Sequence, residues 1–328
     1  MADKGVSVGE DTTEMFLNRL MVTGFKSYTE PVEVHFSPNI SVIIGGNGVG
    51  KSNALDAIVW ALGEDDSRSL RCGRGEDLLF AGSELNPPAD EARVELTFER
   101  DGQEYVVTRC LARSGKESFL VGDAEFPTLD VFREALESLG LGGARLDVIR
   151  QEELTDFFVR SSDDRKRYLT QFVAGSAGLE TLSSRFEGYL SALIPGSRAK
   201  LIVDGDGTDT DVEVSFPDKG AKRGVLLSGG EKAITSLALK LALFDSRPSP
   251  MYLLDEVEPA LDWTRNHNMQ DLLKKISQER QLIMVTHIRS TIQMANTVHG
   301  VRVRADGSSW LKFHFEMDDR LFKVYRCC

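Results

Sequence analysis

The most specific chemical pattern in this sequence is an octapeptide that matches G-x-x-x-x-G-K-[ST]. Its residues are Gly45, Gly46, Asn47, Gly48, Val49, Gly50, Lys51 and Ser52. Glycines in this pattern let backbone N–H groups close around phosphate oxygens. We predict that Lys51 reaches the β- and γ-phosphates of a nucleotide and that the Ser52 hydroxyl ligates Mg²⁺.

The elements that must position this loop are present on both sides of it. Residues 40–44 form a short, apolar, β-branched run, which predicts a buried strand. Residues 53–62 have the apolar spacing of a helix, whose N-terminus adds a positive dipole end to the phosphate site. Strand, glycine loop and helix together predict a nucleotide-binding P-loop and not a chance glycine turn.

A second group of residues in the C-terminal half predicts hydrolysis. Residues 251–254 form an apolar strand that ends in Asp255 and Glu256, the pattern of a Walker B motif. Asp255 stands where a carboxylate holds Mg²⁺, and Glu256 stands where a base orients and deprotonates the attacking water. The alternative, an ordinary strand that ends in two solvated acids, is less compatible with a P-loop in the same chain.

The segment before the helix at residues 233–244 matches the ABC signature motif. It comprises Leu227, Ser228, Gly229, Gly230 and Glu231. A hydroxyl and glycine N–H groups at a helix start make a second anion site. One chain does not need two γ-phosphate sites for one nucleotide, so the motif predicts a head-to-head dimer with two ATP molecules between the subunits. A plain glycine helix cap is the alternative.

Three weaker assignments follow from the order of the motifs. His287, after the apolar run 282–286, fits a switch histidine that contacts the γ-phosphate. Gln151 fits a Q-loop glutamine that ligates Mg²⁺ and water. Asp262, in the segment 260–262, fits a D-loop that lies across the dimer interface.

Composition limits the function classes that remain. The chain has 328 residues, is 41% hydrophobic and 27% charged, and carries a net charge of −12, so any contact with DNA must come from a local basic patch. No apolar run approaches the roughly 20 residues that span a bilayer. The first 14 residues are polar and acidic, and we expect a disordered leader and not a signal peptide. None of the four cysteines lies in a C-x-x-C pair, which favours a reducing, cytoplasmic compartment without zinc.

The periodicity predicts an α/β fold in two halves. Strands are expected at residues 16–22, 31–36, 92–99 and 104–109, helices at 129–139 and from 161, and further strands at 199–203 and 211–216. We assign residues 15–174 to an N-terminal half and 179–328 to a C-terminal half. Between them, the small residues at 175–178 predict a flexible, engineered linker.

Several motifs together give the sequence a family resemblance. Besides the P-loop and the signature motif, they are Gly24-Phe25-Lys26-Ser27, the pair Ser52-Asn53, Leu70-Arg71, Phe80-Ala81-Gly82-Ser83 and Val285-Thr286-His287. With these, about residues 15–315 resemble the head domain of an SMC protein, an ABC-type ATPase of chromosome condensation and cohesion. The resemblance implies a P-loop ATPase head with two lobes, a mixed β-sheet with helices, coiled-coil stumps, and ATP and Mg²⁺ as cofactors.

The same resemblance implies several roles and partners. The linker at 175–178 would replace a long coiled coil and hinge, with the stumps at residues 161–173 and 179–193. Arg71 would be an arginine-finger-type contact, and Lys26, Ser27 and Asn53 would border the nucleotide. A second SMC head, most simply a homodimer partner, a kleisin subunit and double-stranded DNA would be the partners, with the protein associated with the nucleoid.

The sequence departs from the family pattern at Gly46, Glu258, Arg265 and Ile288, which indicates a divergent member and affects partner communication more than ATP binding. Two other functions remain open: the head of a DNA repair or recombination ATPase, and a structural dimerisation module without turnover, against which Glu256 argues. Arg68 and Arg74 fit either a DNA patch or a solvated loop.

Overall fold

The computed structural model describes residues 15–142, 147–172, 175–203, 210–217, 219–247, 249–258, 263–318 and 321–326. Within these residues lie 16 strands and eight α-helices. The strands are β1 (Phe16–Thr23), β2 (Val32–His35), β3 (Ile40–Ile44), β4 (Glu91–Arg100), β5 (Gln103–Ala112), β6 (Glu117–Val121), β7 (Ala124–Phe126), β8 (Val148–Arg150), β9 (Arg198–Val203), β10 (Thr210–Ser215), β11 (Lys222–Arg223), β12 (Met251–Asp255), β13 (Gln281–Val285), β14 (Thr297–Val303), β15 (Ser309–Asp318) and β16 (Leu321–Arg326). The helices are α1 (Lys51–Ala61), α2 (Leu129–Ser138), α3 (Asp156–Val159), α4 (Ser162–Thr170), α5 (Gly175–Leu193), α6 (Gly229–Phe244), α7 (Trp263–Ile276) and α8 (Arg289–Ile292).

A seven-stranded mixed sheet forms the centre of the fold. Its strand order is β16-β15-β14-β3-β13-β12-β8, with β14, β3, β13, β12 and β8 parallel and the last hairpin antiparallel. Strands β3 and β8 come from the N-terminal half and the others from the C-terminal half. The two halves of the sequence therefore build one sheet, and the carboxyl ends of β3, β12, β13 and β8 lie at the same edge.

Two smaller sheets flank the central one. The N-terminal half alone forms a six-stranded antiparallel sheet in the order β2-β1-β4-β5-β6-β7, in which β4 and β5 make the hairpin that the turn at Asp101 and Gly102 predicts. The second sheet has three antiparallel strands in the order β11-β10-β9 and lies next to α4 and α5. These sheets give the fold its two lobes on either side of the central sheet.

The alternation of side chains along the central strands divides the core in two. Ile43, Leu253 and Ile283 face the cluster that contains α1 and the six-stranded sheet. Val42 and Leu254 face the opposite cluster, which contains α5 and α6. Because side chains of successive strand residues point to opposite faces, each central strand buries apolar residues on both sides, as a mostly parallel sheet requires.

Helix α5 includes the run that was expected to be flexible. Residues 175–178 are helical and form the first turn of α5. Further along, Leu182, Phe186, Leu190 and Leu193 are fully buried in the core against α6 and β9. Helical spacing on one face and burial of that face explain why this segment is part of the globular head. That residues 175–178 are a linker stays a prediction.

The other predicted elements agree with the structure to within a few residues. Helix α6 begins at Gly229, so the glycines of the signature motif are already helical. Helix α8 is only one turn long. Among the described residues, no helix is long and apolar enough to cross a membrane.

Candidate active site

The P-loop lies between β3 and α1, and its last glycine is conformationally required. Gly50 has φ +93°, in the left-handed region that favours glycine. A Cβ at this position would lie 2.2 Å from Ser309 Oγ and 2.6 Å from Ser27 Oγ. The loop is held from outside by Tyr28, whose hydroxyl donates to the Gly50 carbonyl at 3.0 Å, and by Ser309, whose Oγ lies 2.7 Å from the Val49 carbonyl oxygen.

Lys51 is the first residue of α1, and its side chain is buried against the loop. Its Nζ donates to the carbonyl oxygens of Gly45 at 3.1 Å and Gly46 at 2.8 Å, and lies 3.3 Å from Glu256 Oε1. Backbone carbonyls and one carboxylate thus hold the ammonium inside the loop. This is where a lysine must stand to exchange those partners for phosphate oxygens.

Ser52 and Asp255 join the two halves of the site. The Ser52 hydroxyl donates to Asp255 Oδ1 at 2.9 Å. Burial raises the pKa of Asp255, and the hydrogen bond from Ser52 and the charges of Arg71 and Arg150 act in the opposite direction. A hydroxyl and a carboxylate in contact are two hard oxygen donors, which fit Mg²⁺.

Glu256 follows Asp255 and has an unusual backbone conformation. Its φ is +51°, which is uncommon for a residue with a Cβ. Its N–H donates to the Val285 carbonyl at 2.9 Å, and its carboxylate lies 3.9 Å from Nδ1 of His287. The turn therefore directs the Glu256 carboxylate toward Lys51 and the strand-end histidine. The roles of base and switch residue stay predictions.

Asp56 is the site residue that sequence reasoning missed. It lies one turn after Ser52 in α1 and is fully buried. Its Oδ2 accepts from Lys26 Nζ at 2.6 Å and from Arg71 Nη2 at 2.7 Å, and its Oδ1 accepts from Arg150 Nη2 at 2.7 Å. The available signal was a lone acid in the otherwise apolar run 54–62.

Nearby charges and burial have opposite effects on the pKa values of the cations around Asp56. Burial lowers the pKa of Lys26 despite the Asp56 carboxylate beside it. The pKa of Arg71 is raised, because the attraction of Asp56 and Asp255 outweighs burial. Arg71 also lies 3.5 Å from Asp255 Oδ2. Both Lys26 and Arg71 have positive φ, +48° and +50°.

A cavity of about 870 Å³ opens over these residues. Twelve of the predicted site residues line it: Lys26, Ser27, Asn47, Gly48, Gly50, Lys51, Ser52, Asn53, Arg71, Gln151, Asp255 and Glu256. Gln151 is the first residue of a short 3-10 helix after β8 and is exposed to the cavity. Lining residues that were not assigned from the sequence are Glu76, Asp77, Leu79, Phe80, Ala81, Gly82, Glu152 and Gly307.

The signature motif lies elsewhere on the chain. Among the described residues, none of its members lines this cavity. Ser228, Gly229 and Gly230 are exposed at the start of α6. The Glu231 carboxylate accepts from Lys219 Nζ at 2.7 Å and from the Ser228 N–H at 2.9 Å, and these hydrogen bonds, that from Lys219 first, lower the pKa of Glu231 to about 2. Asp262 lies outside the described residues.

The sequence matches a known family model over nearly its whole length. The model is described as the RecF/RecN/SMC N terminal domain, and it matches residues 16–309. The matched region includes the P-loop, the signature motif and the strand that ends in Asp255.

Curated relatives carry the name chromosome partition protein Smc. The protein of Bacillus subtilis is 37% identical over 183 residues, which cover 54% of this chain and 15% of the relative. That of Myxococcus xanthus is 37% identical over 173 residues, which cover 49% of this chain and 14% of the relative. The aligned part thus spans about one seventh of the length of these relatives.

Two solved structures are similar over most of both chains. A crystal structure of the SmcHead bound to the C-winged helix domain of ScpA has a TM-score of 0.82 and 30% identity, and covers 92% of this chain and 98% of its own. The SMC head domain from Thermotoga maritima has a TM-score of 0.65 and 32% identity, with 90% and 97% covered.

Proposed function

This chain belongs to the RecF/RecN/SMC N-terminal domain family, and on that premise we propose that it is the ATP-binding and ATP-hydrolysing head of an SMC-type protein that organises chromosomes. The observation that carries the proposal is the contact between Ser52 and Asp255, with Glu256 beside Lys51. These residues unite a phosphate-binding loop, a metal-ligand pair and a candidate base in one cavity. The names of the relatives favour this function over a repair ATPase.

Different residues of this chain carry out separate parts of the proposed reaction. Lys51 and the loop N–H groups bind the β- and γ-phosphates, and Arg71 adds a second cation at the cavity wall. Glu256 orients a water for attack and accepts its proton. His287 lies 3.9 Å from the same carboxylate and acts as the switch residue that contacts the γ-phosphate. The positive φ of Glu256 fixes the direction of its side chain before substrate arrives.

Mg²⁺ would be held by Ser52 and Asp255, with Gln151 as a third oxygen donor at the cavity wall. Its chemistry there is to neutralise phosphate charge as the γ-phosphoryl group leaves. Hydroxyl, carboxylate and amide oxygens are the donor types that this ion prefers.

The exposed signature motif supports a dimer in which each subunit completes the other's site. Ser228 and Gly229 present a hydroxyl and free helix N–H groups away from the chain's own cavity. A γ-phosphate held by a second copy fits this anion site. ATP would then join two heads, and hydrolysis by Glu256 would separate them.

Further partners follow from the similar proteins. One solved relative is bound to a domain of ScpA, which supports a kleisin-type partner for this chain. Double-stranded DNA and association with the nucleoid belong to the same proposal, since the curated relatives are named for chromosome partition. With a net charge of −12, DNA contact would depend on local basic residues such as Arg68 and Arg74.

The deciding experiment is the solution mass of Glu256→Gln with and without Mg-ATP. The amide keeps the shape of the side chain but cannot act as a base, so we expect a shift from monomer to dimer on adding ATP. ADP serves as the control nucleotide and should leave the monomer in place. A variant that binds ATP and stays monomeric would remove the self-pairing dimer from the proposal.

A further inference from the structure

Asp56 is a single buried carboxylate that pairs with three cations. The distances are 2.6 Å to Lys26, 2.7 Å to Arg71 and 2.7 Å to Arg150, and Asp56 itself has no exposed surface. Buried charges are found where partners compensate them, and loss of one partner leaves the others uncompensated. Asp56 therefore lies behind the cavity wall and determines the charge of that wall.

Each of the three cations belongs to a different segment of the nucleotide cavity. Lys26 follows β1 and lines the cavity beside Ser27. Arg71 lies in the loop after α1 and also lines it. Arg150 ends β8 and directly precedes Gln151. Asp56 is on α1, the helix that begins at the P-loop. Its ion pairs therefore connect α1 to the three other segments, which contain Lys26, Arg71 and Arg150.

The backbone of two of these segments supports a positioning role. Lys26 and Arg71 both adopt the left-handed conformation, with φ near +50°. Residues with a Cβ take this conformation only where the surroundings determine it. The ion pairs with Asp56 and the hydrogen bond from Lys26 Nζ to the Leu70 carbonyl hold the two residues in this conformation.

Arg71 has two carboxylate partners, and one of them is a candidate metal ligand. Its Nη2 is 2.7 Å from Asp56 Oδ2, and its Nη1 is 3.5 Å from Asp255 Oδ2. Asp255 uses its other oxygen to accept from Ser52. Arg71 competes with a cation for Asp255, and phosphate oxygens in the cavity are the alternative partner for its guanidinium.

Asp56 carries one of the negative charges that offset these cations. Lys26, Arg71 and Arg150 all pair with Asp56, while Arg71 also pairs with Asp255 and Arg150 also pairs with Glu153. Without Asp56 the wall of the cavity carries one more positive charge, and Arg71 has Asp255 as its only carboxylate among these contacts.

We propose that Asp56 is a positioning residue of the nucleotide site, a role that rests on the proposed ATPase function. Its carboxylate limits the positive charge of the cavity and retains Arg71 near Asp56, so that Arg71 can leave Asp255 when nucleotide binds. Asp56 thus lowers the affinity of the cavity for phosphates, and by holding Arg71 it leaves Ser52 and Asp255 accessible to a metal ion.

The test is Asp56→Asn in the whole chain, with ATP affinity measured by calorimetry in EDTA and again in Mg²⁺. We expect ATP to bind about ten-fold more tightly in EDTA, because one negative charge has left the cavity wall. We expect the further gain in affinity on adding Mg²⁺ to shrink by a similar factor, because Arg71 then stays on Asp255. The melting temperature without nucleotide should fall.

Glu76→Gln is the matched control, since it removes one negative charge from the exposed rim of the same cavity. If Asp56→Asn and Glu76→Gln give equal affinities, the positioning role is refuted. A loss of ATP affinity that is the same with and without Mg²⁺ also refutes it, because general loosening gives that result. Failure of the unmodified chain to bind ATP would refute the proposed function instead.

A second variant separates the effect of the Asp56–Arg71 pair from a general loss of stability in Asp56→Asn. Asp56→Asn with Arg71→Met removes one anion and one cation together, so the charge of the cluster is restored. We expect this double variant to melt closer to the unmodified chain than Asp56→Asn alone does. Equal loss of stability in both variants would show that the Asp56–Arg71 pair is not the reason for the effect.

Discussion

The Ser52 hydroxyl lies 2.9 Å from Asp255 Oδ1, although 203 residues separate them in the sequence. The contact exists because β3 and β12 are parallel and only β13 lies between them, so the P-loop and the end of β12 share one edge of the sheet. Lys51 and Glu256, which we propose to bind phosphate and to activate water, are the sequence neighbours of Ser52 and Asp255. Predictions about the site therefore begin with the side chains around it.

Lys51→Ile should abolish useful ATP binding. The ammonium is buried among two carbonyl oxygens and Glu256, and isoleucine offers the phosphates no donor. Loss of two charge-assisted contacts, about 3 kcal/mol, corresponds to about 100-fold weaker binding. Calorimetric titration measures this, with the exposed Lys116→Ile as the control. Unchanged affinity in Lys51→Ile would refute the P-loop assignment.

Gly45 and Gly46 should respond differently to alanine. A Cβ on Gly45 would lie 2.5 Å from the Val301 carbonyl oxygen in β14, whereas a Cβ on Gly46 would meet only Val49 Cγ1 at 3.6 Å. We expect Gly45→Ala to cost about 1–3 kcal/mol of unfolding free energy. Gly46→Ala should be neutral or gain about 0.4–1 kcal/mol by restricting the unfolded chain. Urea unfolding compares the pair, and equal losses would contradict the described loop conformation.

Ser228→Arg should block dimerisation of the Glu256→Gln variant while ATP affinity of the monomer stays the same. Ser228 is exposed and lies outside the chain's own cavity, so a bulky cation there obstructs only a partner. Replacing this N-cap residue should cost about 1 kcal/mol of stability. Solution mass and calorimetry give the two readouts, with Ser138→Arg at the end of α2 as the control. Reduced ATP affinity in the monomer would contradict the role that we propose for the signature motif.

His299 should make the fold less stable in mild acid. Its ring is fully buried, with Nδ1 3.1 Å from Nδ1 of His314. Burial, and then the charges of His314 and His35, lower the pKa of His299 well below its ordinary value. Burial also lowers the pKa of His314 despite its contact with Glu316.

The direction of this pH effect follows from proton binding by the folded and the unfolded state. Above the unfolded pKa of about 6.5 both states are neutral at His299, and below it the unfolded chain binds a proton that the folded chain excludes. Stability should therefore fall as pH falls, with a slope approaching about 1.4 kcal/mol per pH unit for this residue. Urea unfolding at pH 7.5, 6.5 and 5.5 should show a shallower slope for His299→Phe than for the exposed control His267→Gln. Parallel slopes would contradict the prediction.

Much of the site could be predicted because its motifs are contiguous. Strand, loop and helix around Lys51, and the strand that ends in Asp255, are specified by local periodicity and by glycine spacing. The structure brings most of these residues to one cavity. The separation of Ser228 from that cavity also follows from sequence reasoning, since a second anion motif implied a second subunit.

Other features depended on topology. The support of the P-loop by Ser309 and Tyr28 joins segments that are distant in sequence. The packing of α5 on the core did not follow from the sequence, because a core helix and a coiled-coil stump both have an apolar stripe with helical spacing. Asp56 carried only a weak signal, since its three partners lie 15, 30 and 94 residues away.

By itself the sequence predicted the chemistry that we propose for this protein: a phosphate loop, a metal-ligand pair with a base, and an anion site for a partner. Short-range backbone geometry is enough to encode each of these. Only the tertiary structure decided which charges share a buried environment, because ion pairs form wherever folding brings their segments together. Asp56 shows this most clearly, since it acquires its three cations from segments that only the folded chain places around one helix.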